Sequence, residues 1–165
     1  PEIESKIESI METVSHANEL GIPNEDVWVD PIILPVSTAG EGQKIAVGNL
    51  EFIKILQDVL PGVKSTVGLS NISNGVPAHL RPILNRTYLV MLGRNGLYSA
   101  IADPLDEELM SFMKGELPKI TDLIYRTMDG EEIELSPLSQ KEVAYVKTAR
   151  VLMAQTLYSD AWLEI

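Results

Sequence analysis

The sequence predicts an α/β fold in which helices alternate with short, buried, parallel strands. Segments with apolar residues at helical spacing alternate along the chain with three short runs of apolar and β-branched residues. Each short run ends at a carboxylate or an amide, namely Asp30, Asn71 and Asp103. A chain of 165 residues that is 45% hydrophobic and 22% charged is also large enough to bury one core.

The first two thirds of the chain contain this alternation. Gly21, Pro61-Gly62 and Gly96 each follow a periodic apolar segment and predict where the first three helices end. The predicted order is a helix at 2–20, a strand at 27–30, an exposed Gly-rich loop at 37–44, a helix at 48–60, a strand at 65–71, a loop at 74–79, a helix at 82–95 and a strand at 97–103. Such an order is typical of a parallel sheet with crossover helices.

The last third of the chain has a less regular pattern. Acidic residues at 106–108 predict the start of a fourth helix, because they suit a helix N-terminus. Within 114–139, the stretch 127–132 predicts a turn between short strands, since its Asp-Gly pair is typical of tight turns. Ser139 and Glu142 predict a capping box that begins a last helix at about 140–158.

Composition and motifs exclude several functional classes. Thirteen basic and 24 acidic residues leave a formal charge of −11, which argues against nucleic-acid binding. The chain has no cysteine, so disulfides and thiolate metal sites are excluded, and His16 and His79 are too far apart to predict a histidine metal site. No dinucleotide fingerprint, P-loop or nucleophile elbow is present.

No membrane segment or export signal is predicted. No apolar run reaches about 18 residues, the length that a transmembrane helix requires. Residues 1–4 have no signal-peptide pattern, so we expect a cytoplasmic protein. The chain starts at Pro1 and not at a methionine, and we therefore expect a further segment upstream.

The polar residues at the three strand ends form the candidate site. Ligands of parallel α/β folds bind at the carboxyl ends of the strands, so Asp30, Asn71 and Asp103 are expected to converge on one pocket. The carboxylate of Asp30 can accept two N–H groups from an amidine-like ligand edge, whereas the amide of Asn71 can both donate and accept. The alternative is that all three are ordinary turn residues, with Asp30 binding the loop backbone at 36–40.

Other polar and aromatic residues have more ordinary expected roles. Arg81 is a candidate for binding an anionic group of a ligand, with a surface position as the alternative. Arg86 lies within a predicted helix, where packing or a salt bridge is expected, and His79 is expected to be a solvated loop residue. Tyr158 and Trp162 are expected to pack the last helix onto the rest of the fold.

The number of strands leaves the architecture open. Three strands cannot close a barrel, because an eight-stranded α/β barrel requires at least about 200 residues. The pattern therefore fits a small open α/β sheet. It fits equally well a part of a larger barrel whose other strands are absent from this chain.

Five stretches of the chain resemble one family of enzymes. They are Val29–Pro35 (VDPIILP), Val67–Ser73 (VGLSNIS), Leu84–Leu89 (LNRTYL), Ser99–Asp103 (SAIAD) and Gln155–Asp160 (QTLYSD). In order and content they are similar to motifs of the methyltetrahydrofolate:corrinoid/iron–sulfur protein methyltransferases. The likeness covers about residues 1–110 and 140–165. The methionine synthase folate module and dihydropteroate synthase resemble the chain more distantly.

The resemblance implies a fold and a ligand. The family fold is a (β/α)8 TIM barrel that binds a pterin at its top face. This chain would be the C-terminal part of that single domain, with its C-terminal three βα units and an insertion near 114–139. Asp30 would grip the pterin edge, and Asn71 would form a hydrogen bond near N5. The other candidate substrate-binding residues are Ser70, Asn74 (where the family has a glutamine), Arg81 and Asp103.

The resemblance also implies an activity. The N5-methyl group of methyltetrahydrofolate would move to the cobalt of a corrinoid such as cobalamin, carried by a partner protein. Asn71 is the candidate catalytic residue, because an amide can stabilise charge that develops at N5. The complete enzyme is expected to be a homodimer, with the first five strands supplied by an absent segment or by another chain.

Two rival functions remain open. One is a non-catalytic barrel subunit of a corrinoid protein complex, which need not keep the pterin-binding residues. The other is an enzyme like dihydropteroate synthase, which usually has a Ser-Arg-Lys motif where this chain has Ser70-Asn71-Ile72. Asp30 and Asn71 favour the methyltransferase over both.

Overall fold

Helices and strands alternate through most of the computed structural model, which describes residues 3–164. The strands are β1 (Trp28–Val29), β2 (Lys64–Gly68) and β3 (Ser99–Ile101). The helices are α1 (Ile3–Glu19), α2 (Gly42–Val59), α3 (Arg81–Arg94), α4 (Glu107–Met113), α5 (Pro118–Met128) and α6 (Gln140–Leu152). Short 3-10 turns occur at Asn24–Asp26 and Leu69–Ser73. This order confirms the predicted α/β class.

The three strands form one parallel sheet in the order β1-β2-β3. In the register, Trp28 lies beside Lys64, and Gly68 lies beside Ile101. Helix α2 connects β1 to β2, and α3 connects β2 to β3, as parallel strands require. The carboxyl ends of all three strands therefore lie at the same edge of the sheet.

Within residues 3–164, helices cover only one face of this sheet. Side chains alternate between the two faces of each strand, and Val29, Ser65 and Val67 are buried in the core. The opposite face, which we call the open face, consists of Trp28, Lys64, Thr66, Gly68, Ser99 and Ile101. Trp28 is 50% exposed there, and Ile101 is 74% exposed. Because parallel sheets normally have both faces covered, the open face is unusual.

The core lies between the covered face of the sheet and the helices. In α2, apolar residues recur at spacings of three and four, and Leu50, Ile53 and Leu56 are all buried. Tyr88 of α3 is fully buried, and its hydroxyl donates a hydrogen bond to the carbonyl of Ala46 in α2 at 2.9 Å. That bond satisfies the polar group of a buried aromatic side chain and holds the two helices together.

The helices after β3 pack on α3 and on one another. Asp106 caps α4 by accepting a hydrogen bond from the first turn, and Ser139 and Glu142 form the capping box of α6. Trp162 is buried, and its indole Nε1 donates to Thr148 Oγ1 of α6 at 3.0 Å. The predictions for the start of α4, for the capping box and for Trp162 are confirmed.

The prediction for the start of the second helix was wrong by six residues. Helix α2 begins at Gly42, so the loop that was predicted to extend over 37–44 is shorter and ends before Gly42. Gly42 packs so closely on the loop that a Cβ there would lie 2.3 Å from the carbonyl oxygen of Pro35. Only glycine fits such a contact, whereas a Gly-rich sequence ordinarily indicates a loop.

The second strand is shorter than predicted. Strand β2 ends at Gly68, and Leu69–Ser73 turns into a 3-10 helix. Buried residues at Leu69 and Ile72 follow the three-residue period of such a turn, and Ser73 Oγ donates to the Ser70 carbonyl at 3.2 Å. Asn71 therefore lies three residues beyond the strand and not at its end.

The predicted pair of short strands around residues 127–132 does not form. Residues Pro118–Met128 are helix α5, and Asp129-Gly130 ends that helix, with Gly130 at a φ of +77°. Pro118 suits the first turn of a helix, and the buried residues recur at helical spacing: Ile120, Leu123, Ile124 and Thr127. The turn at Asp-Gly was therefore predicted correctly, but it follows a helix and does not join two strands.

The last helix ends at Leu152, six residues before its predicted end. The side chain of Gln43 in α2 donates to the carbonyls of Val151 and Thr156, at 2.6 and 2.7 Å. The same side chain accepts a hydrogen bond from the backbone N–H of Tyr158 at 3.0 Å. These contacts hold the chain after α6 against α2, which the local sequence does not indicate.

The remaining boundaries of helices and strands agree with the predicted ones to within about two residues. Residue 2, predicted to be helical, lies outside the described residues. Within residues 3–164, no helix combines the length and the apolar character that are needed to cross a membrane.

Candidate functional site

Asp30 and Asp103 have the same local geometry at the carboxyl edge of the sheet. Each follows a strand and precedes a proline, and its Oδ1 accepts a hydrogen bond from the N–H two residues on. The donors are Ile32, at 2.8 Å, and Leu105, at 2.9 Å. Asp30 therefore braces its loop through Ile32 and not through 36–40. Within residues 3–164, the second oxygen of each carboxylate accepts no hydrogen bond.

Asn71 projects its amide at the same edge. The amide nitrogen lies 3.4 Å from the position that a Cβ on Gly68 would occupy. Because Gly68 belongs to the open face, the amide of Asn71 lies at the carboxyl end of that face. Asn71 is exposed, and its side chain forms no hydrogen bond with the residues that the structure describes. A donor and an acceptor are therefore available to a ligand.

Three of the predicted site residues line one cleft of about 420 Å³ between the ends of β2 and β3. They are Ser70, Arg81 and Asp103. Arg81 Nε donates to the buried Ser73 Oγ at 3.2 Å, which holds the guanidinium at the start of α3. Asn85 also lines this cleft, and its Oδ1 is buried without a partner in the described part of the chain.

The other three predicted residues lie outside that cleft. Asp30 lines a separate cleft of about 350 Å³ beside the first turns of α1. Asn71 lies above the open face, and Asn74 is exposed, with its carbonyl accepting a hydrogen bond from Ser37 Oγ at 3.1 Å. The structure thus brings the six residues to one edge of the sheet but not into one pocket of this chain. Their roles stay predictions.

Arg86 forms a charge network that borders this cleft, because its partner Asp106 lines the cleft together with Asp103. Its guanidinium contacts Asp106 at 2.8 Å and Glu108 at 3.2 Å, and Tyr145 donates to Glu108 at 2.7 Å. Partial burial raises the pKa of Asp106, but the hydrogen bond from Arg86 and those from the backbone outweigh it and lower that pKa. Arg86 is therefore a salt-bridge residue, as its helical position predicts.

No metal centre is formed by the part of the chain that the structure describes, since no group of three or more suitable side chains occurs in residues 3–164. His79 is exposed in the loop before α3, where a solvated residue was predicted. The groups that the edge presents are amides, carboxylates and the guanidinium of Arg81, which can form hydrogen bonds and charge interactions.

Two asparagines whose side-chain oxygens are buried escaped the sequence prediction. Asn49 is almost fully buried in α2, and Asn85 lines the cleft from α3. The signal for Asn49 was its position, because it occupies an apolar stripe with Ala46, Leu50 and Ile53 at helical spacing. A polar residue in such a stripe indicates a buried hydrogen bond. Asn85 had a weaker signal, since the first positions of α3 mix polar and apolar residues.

Comparisons with known proteins agree with the motifs. No protein-family profile matches the chain. The chain is 28% identical over 108 residues to a methylcorrinoid:tetrahydrofolate methyltransferase of Eubacterium limosum, and the match covers 66% of this chain. It is 32% identical over 82 residues, 49% of this chain, to a methionine synthase of Mycobacterium tuberculosis. A methionine synthase of Mycobacterium leprae is 29% identical over 101 residues, 60% of this chain.

The chain is a relative of the methyltetrahydrofolate–corrinoid methyltransferases. The family recognised from the five motifs is thereby confirmed, at low identity. The matched segment covers 38% of the Eubacterium limosum enzyme, but only 7% and 8% of the two methionine synthases. The chain thus spans well under half the length of the curated relatives it matches.

Proposed function

We propose that the protein transfers a methyl group between N5 of a tetrahydrofolate and the cobalt of a corrinoid carried by a partner protein. The observation that carries this proposal is the side-chain amide of Asn71 beside Gly68, at the carboxyl end of the open face. This amide forms no hydrogen bond with the residues that the structure describes. Carboxylates with a free oxygen flank the same edge. The name of the Eubacterium limosum relative contains both reactants.

Asn71 is suited to the demanding step of this reaction. When the methyl group leaves, the electron pair of the carbon–nitrogen bond stays on N5, and the new carbon–cobalt bond uses an electron pair of the reduced cobalt. N5 is a poor leaving group unless it is protonated or hydrogen-bonded. The amide of Asn71 has no acidic proton near neutral pH, so it would stabilise a protonated N5 and not protonate it.

Asp30 is suited to holding the pterin ring. The amidine-like edge of a pterin presents two N–H groups, and a carboxylate accepts such a pair well. One oxygen of Asp30 already accepts a hydrogen bond from Ile32, and the other remains available. The loop-bracing bond and the ligand-binding role are therefore compatible, because the bond fixes the direction of the free oxygen.

We further propose that the chain is the C-terminal part of a (β/α)8 barrel, residues 1–165 belonging to one pterin-binding domain. The open face supports this, since Trp28 and Ile101 expose apolar surface that five further strands would cover. The short coverage of the relatives supports it as well. The pterin site would then be completed by residues from those strands. The expected homodimer stays a prediction.

The direction of transfer has two candidates. The motifs resemble enzymes that take the methyl group from methyltetrahydrofolate, which is the direction that we favour. The name of the Eubacterium limosum relative puts the methyl group on the corrinoid and names tetrahydrofolate second. The same amide serves both directions, because a forward and a reverse reaction share one transition state.

A methyl-transfer assay run both ways tests this proposal. The protein at its native length is mixed with methyltetrahydrofolate and reduced cobalamin, and in parallel with methylcobalamin and tetrahydrofolate. Absorbance of the corrinoid reports formation or loss of the cobalt–carbon bond. We expect turnover in at least one direction. Binding of a corrinoid protein without any turnover would instead favour the non-catalytic subunit, and condensation of a pterin with p-aminobenzoate would favour the dihydropteroate synthase-like enzyme.

A further inference from the structure

Ile32 has a backbone conformation that its side chain disfavours. Its φ is +61°, in the left-handed region that β-branched residues rarely adopt. Its side chain is 67% exposed, so no packing of that side chain accounts for the conformation. Such outliers persist only where the surroundings hold them, and they occur often at functional sites.

Two side chains hold both polar groups of this residue. Asp30 Oδ1 accepts the hydrogen bond from the Ile32 N–H at 2.8 Å. Asn49 Nδ2 donates to the Ile32 carbonyl at 3.3 Å. Asn49 is 1% exposed and lies in the middle of α2, so its amide group is rigidly placed.

The second Asp-Pro turn of the chain is an internal comparison. Asp103-Pro104-Leu105 repeats the order of Asp30-Pro31-Ile32, and both turns have the same hydrogen bond from the third residue to the carboxylate. Leu105 has no positive φ, and no side chain donates to its carbonyl among the residues that the structure describes. The hydrogen bond to aspartate therefore does not by itself produce the left-handed residue. One difference between the turns is the hydrogen bond that Asn49 donates in the first of them.

Asn49 also leaves a polar atom unsatisfied. Its Oδ1 is buried and has no partner in residues 3–164. A buried acceptor without a partner is unfavourable, and an apolar residue would fit the stripe of α2 without that penalty. A leucine at this position would lose the hydrogen bond to Ile32 and also the polar contact of Asn49 with the buried hydroxyl of Tyr88.

We propose that Asn49 is a positioning residue that sets the direction of the Asp30 carboxylate through Ile32. Asn49 holds the carbonyl of Ile32, the left-handed conformation turns the N–H of Ile32 toward Asp30, and that N–H occupies one carboxylate oxygen. The other oxygen is left at a fixed place for the N–H groups of a ligand. The ligand part of this inference rests on the proposed function.

The first test needs no ligand. Hydrogen exchange of the Ile32 amide is measured by NMR in the native-length wild-type protein and in Asn49→Leu, which keeps most of the buried volume. We expect exchange of Ile32 to become about tenfold faster, because the bond to Asp30 loosens. The Leu105 amide, in the matching turn without Asn49, should keep its rate. Equal rates for Ile32 in both proteins would overturn the proposal.

The second test separates positioning from general packing. Affinity for methyltetrahydrofolate is measured in the native-length protein for Asn49→Leu, Ile32→Gly and the double variant. We expect Asn49→Leu to weaken binding about tenfold, and about twofold or less in the Ile32→Gly background, because glycine adopts a positive φ without help. Equal losses in both backgrounds would overturn the proposal. Thr127→Ala, a buried polar change in α5, controls for lost stability and should leave affinity unchanged.

These tests distinguish the two possible failures. If the native-length wild-type protein does not bind methyltetrahydrofolate, the proposed function fails, and the exchange rate of Ile32 still decides whether Asn49 holds the turn. If the wild-type protein binds and Asn49→Leu binds equally well, the positioning role fails and the proposed function stands. Should Asn49→Leu not fold, Asn49→Ala serves for the same measurements.

Discussion

The carboxyl edge of the sheet and the helical layer of α3 to α6 differ in how their polar groups are paired. In the layer, Arg86 is shared between Asp106 and Glu108, and Glu142 is bound by Lys119 and by its own capping box. At the edge, the amide of Asn71 and one oxygen each of two aspartates have no partner among the described residues. Polar groups with partners hold the fold together, whereas groups without them are available to a ligand. Substitutions in the two regions should therefore affect different properties.

Substitution of Asn71 should have the largest effect at the edge. We expect Asn71→Ala to slow methyl transfer by roughly 10–1,000-fold, the range for a lost electrostatic donor, and to leave stability nearly unchanged. The measurements are single-turnover rate at saturating methyltetrahydrofolate and urea unfolding. Asn95→Ala, where α3 ends near the amino edge of the sheet, is the matched control and should keep its rate. An unchanged rate for Asn71→Ala would remove this residue from the mechanism.

Substitution of Arg86 should have the opposite pattern. Arg86→Met leaves Asp106 and Glu108 without their shared partner, and both carboxylates are mostly buried. Glu108 keeps its hydrogen bond from Tyr145 and its ion pair with Lys141, so the main loss falls on Asp106. We expect the free energy of unfolding to fall by about 1–3 kcal/mol, the typical cost when such a group loses a hydrogen-bonding partner. Urea unfolding measures this, with Arg126→Met in the exposed ion pairs of α5 as a control that should be nearly neutral. If Arg86→Met lost affinity for the pterin without losing stability, the contrast between the edge and the helical layer would be wrong.

A change at Asp30 separates bracing from binding. Asp30→Asn keeps an oxygen that accepts the Ile32 N–H but removes the charge, whereas Asp30→Ala removes both. We expect each to weaken methyltetrahydrofolate binding by about tenfold, with only the alanine also loosening the loop. Isothermal titration of the native-length protein provides the affinities. If Asp30→Asn binds as well as the wild type, Asp30 is a loop-bracing residue alone.

The smallest expected effect concerns acid stability. Hydrogen bonds from Lys119 and from Ser139 lower the pKa of Glu142 from its ordinary value of 4.5 to about 2. A lowered pKa stabilises the fold above the ordinary value, and that contribution is lost as pH falls from about 4.5 toward 2. Glu142→Gln should therefore show a shallower loss of stability over this range in pH-dependent urea unfolding. Glu132→Gln, in the exposed stretch after α5, should match the wild type.

The sequence predicted what depends on local pattern. The capping box at Ser139 and the alternation of helices with parallel strands follow from residues close in the chain, and both are confirmed. The end of α6 at Leu152 was not predictable in this way, because it depends on Gln43, which is more than 100 residues distant. The start of α2 at Gly42 likewise depends on a contact with the loop before it.

The two Asp-Pro turns show the same limit within the candidate site. Their sequences predict a hydrogen bond from each aspartate to the following backbone, and the structure has that bond twice. The left-handed Ile32 occurs in only one of them, because α2 places Asn49 at its carbonyl. Which polar residues share a cleft was also beyond the sequence, since it depends on how β2, β3 and α3 pack.

Titration with methyltetrahydrofolate tests the central claim most directly, namely that this edge forms a pterin site completed by strands outside these 165 residues. The 18.2 kDa chain and the native-length protein, with its mass determined intact, are titrated side by side. We predict saturable binding by the native-length protein and none by the chain alone. Equally tight binding by the chain alone would contradict the proposed missing strands, and absence of binding by the native-length protein would contradict the pterin site itself.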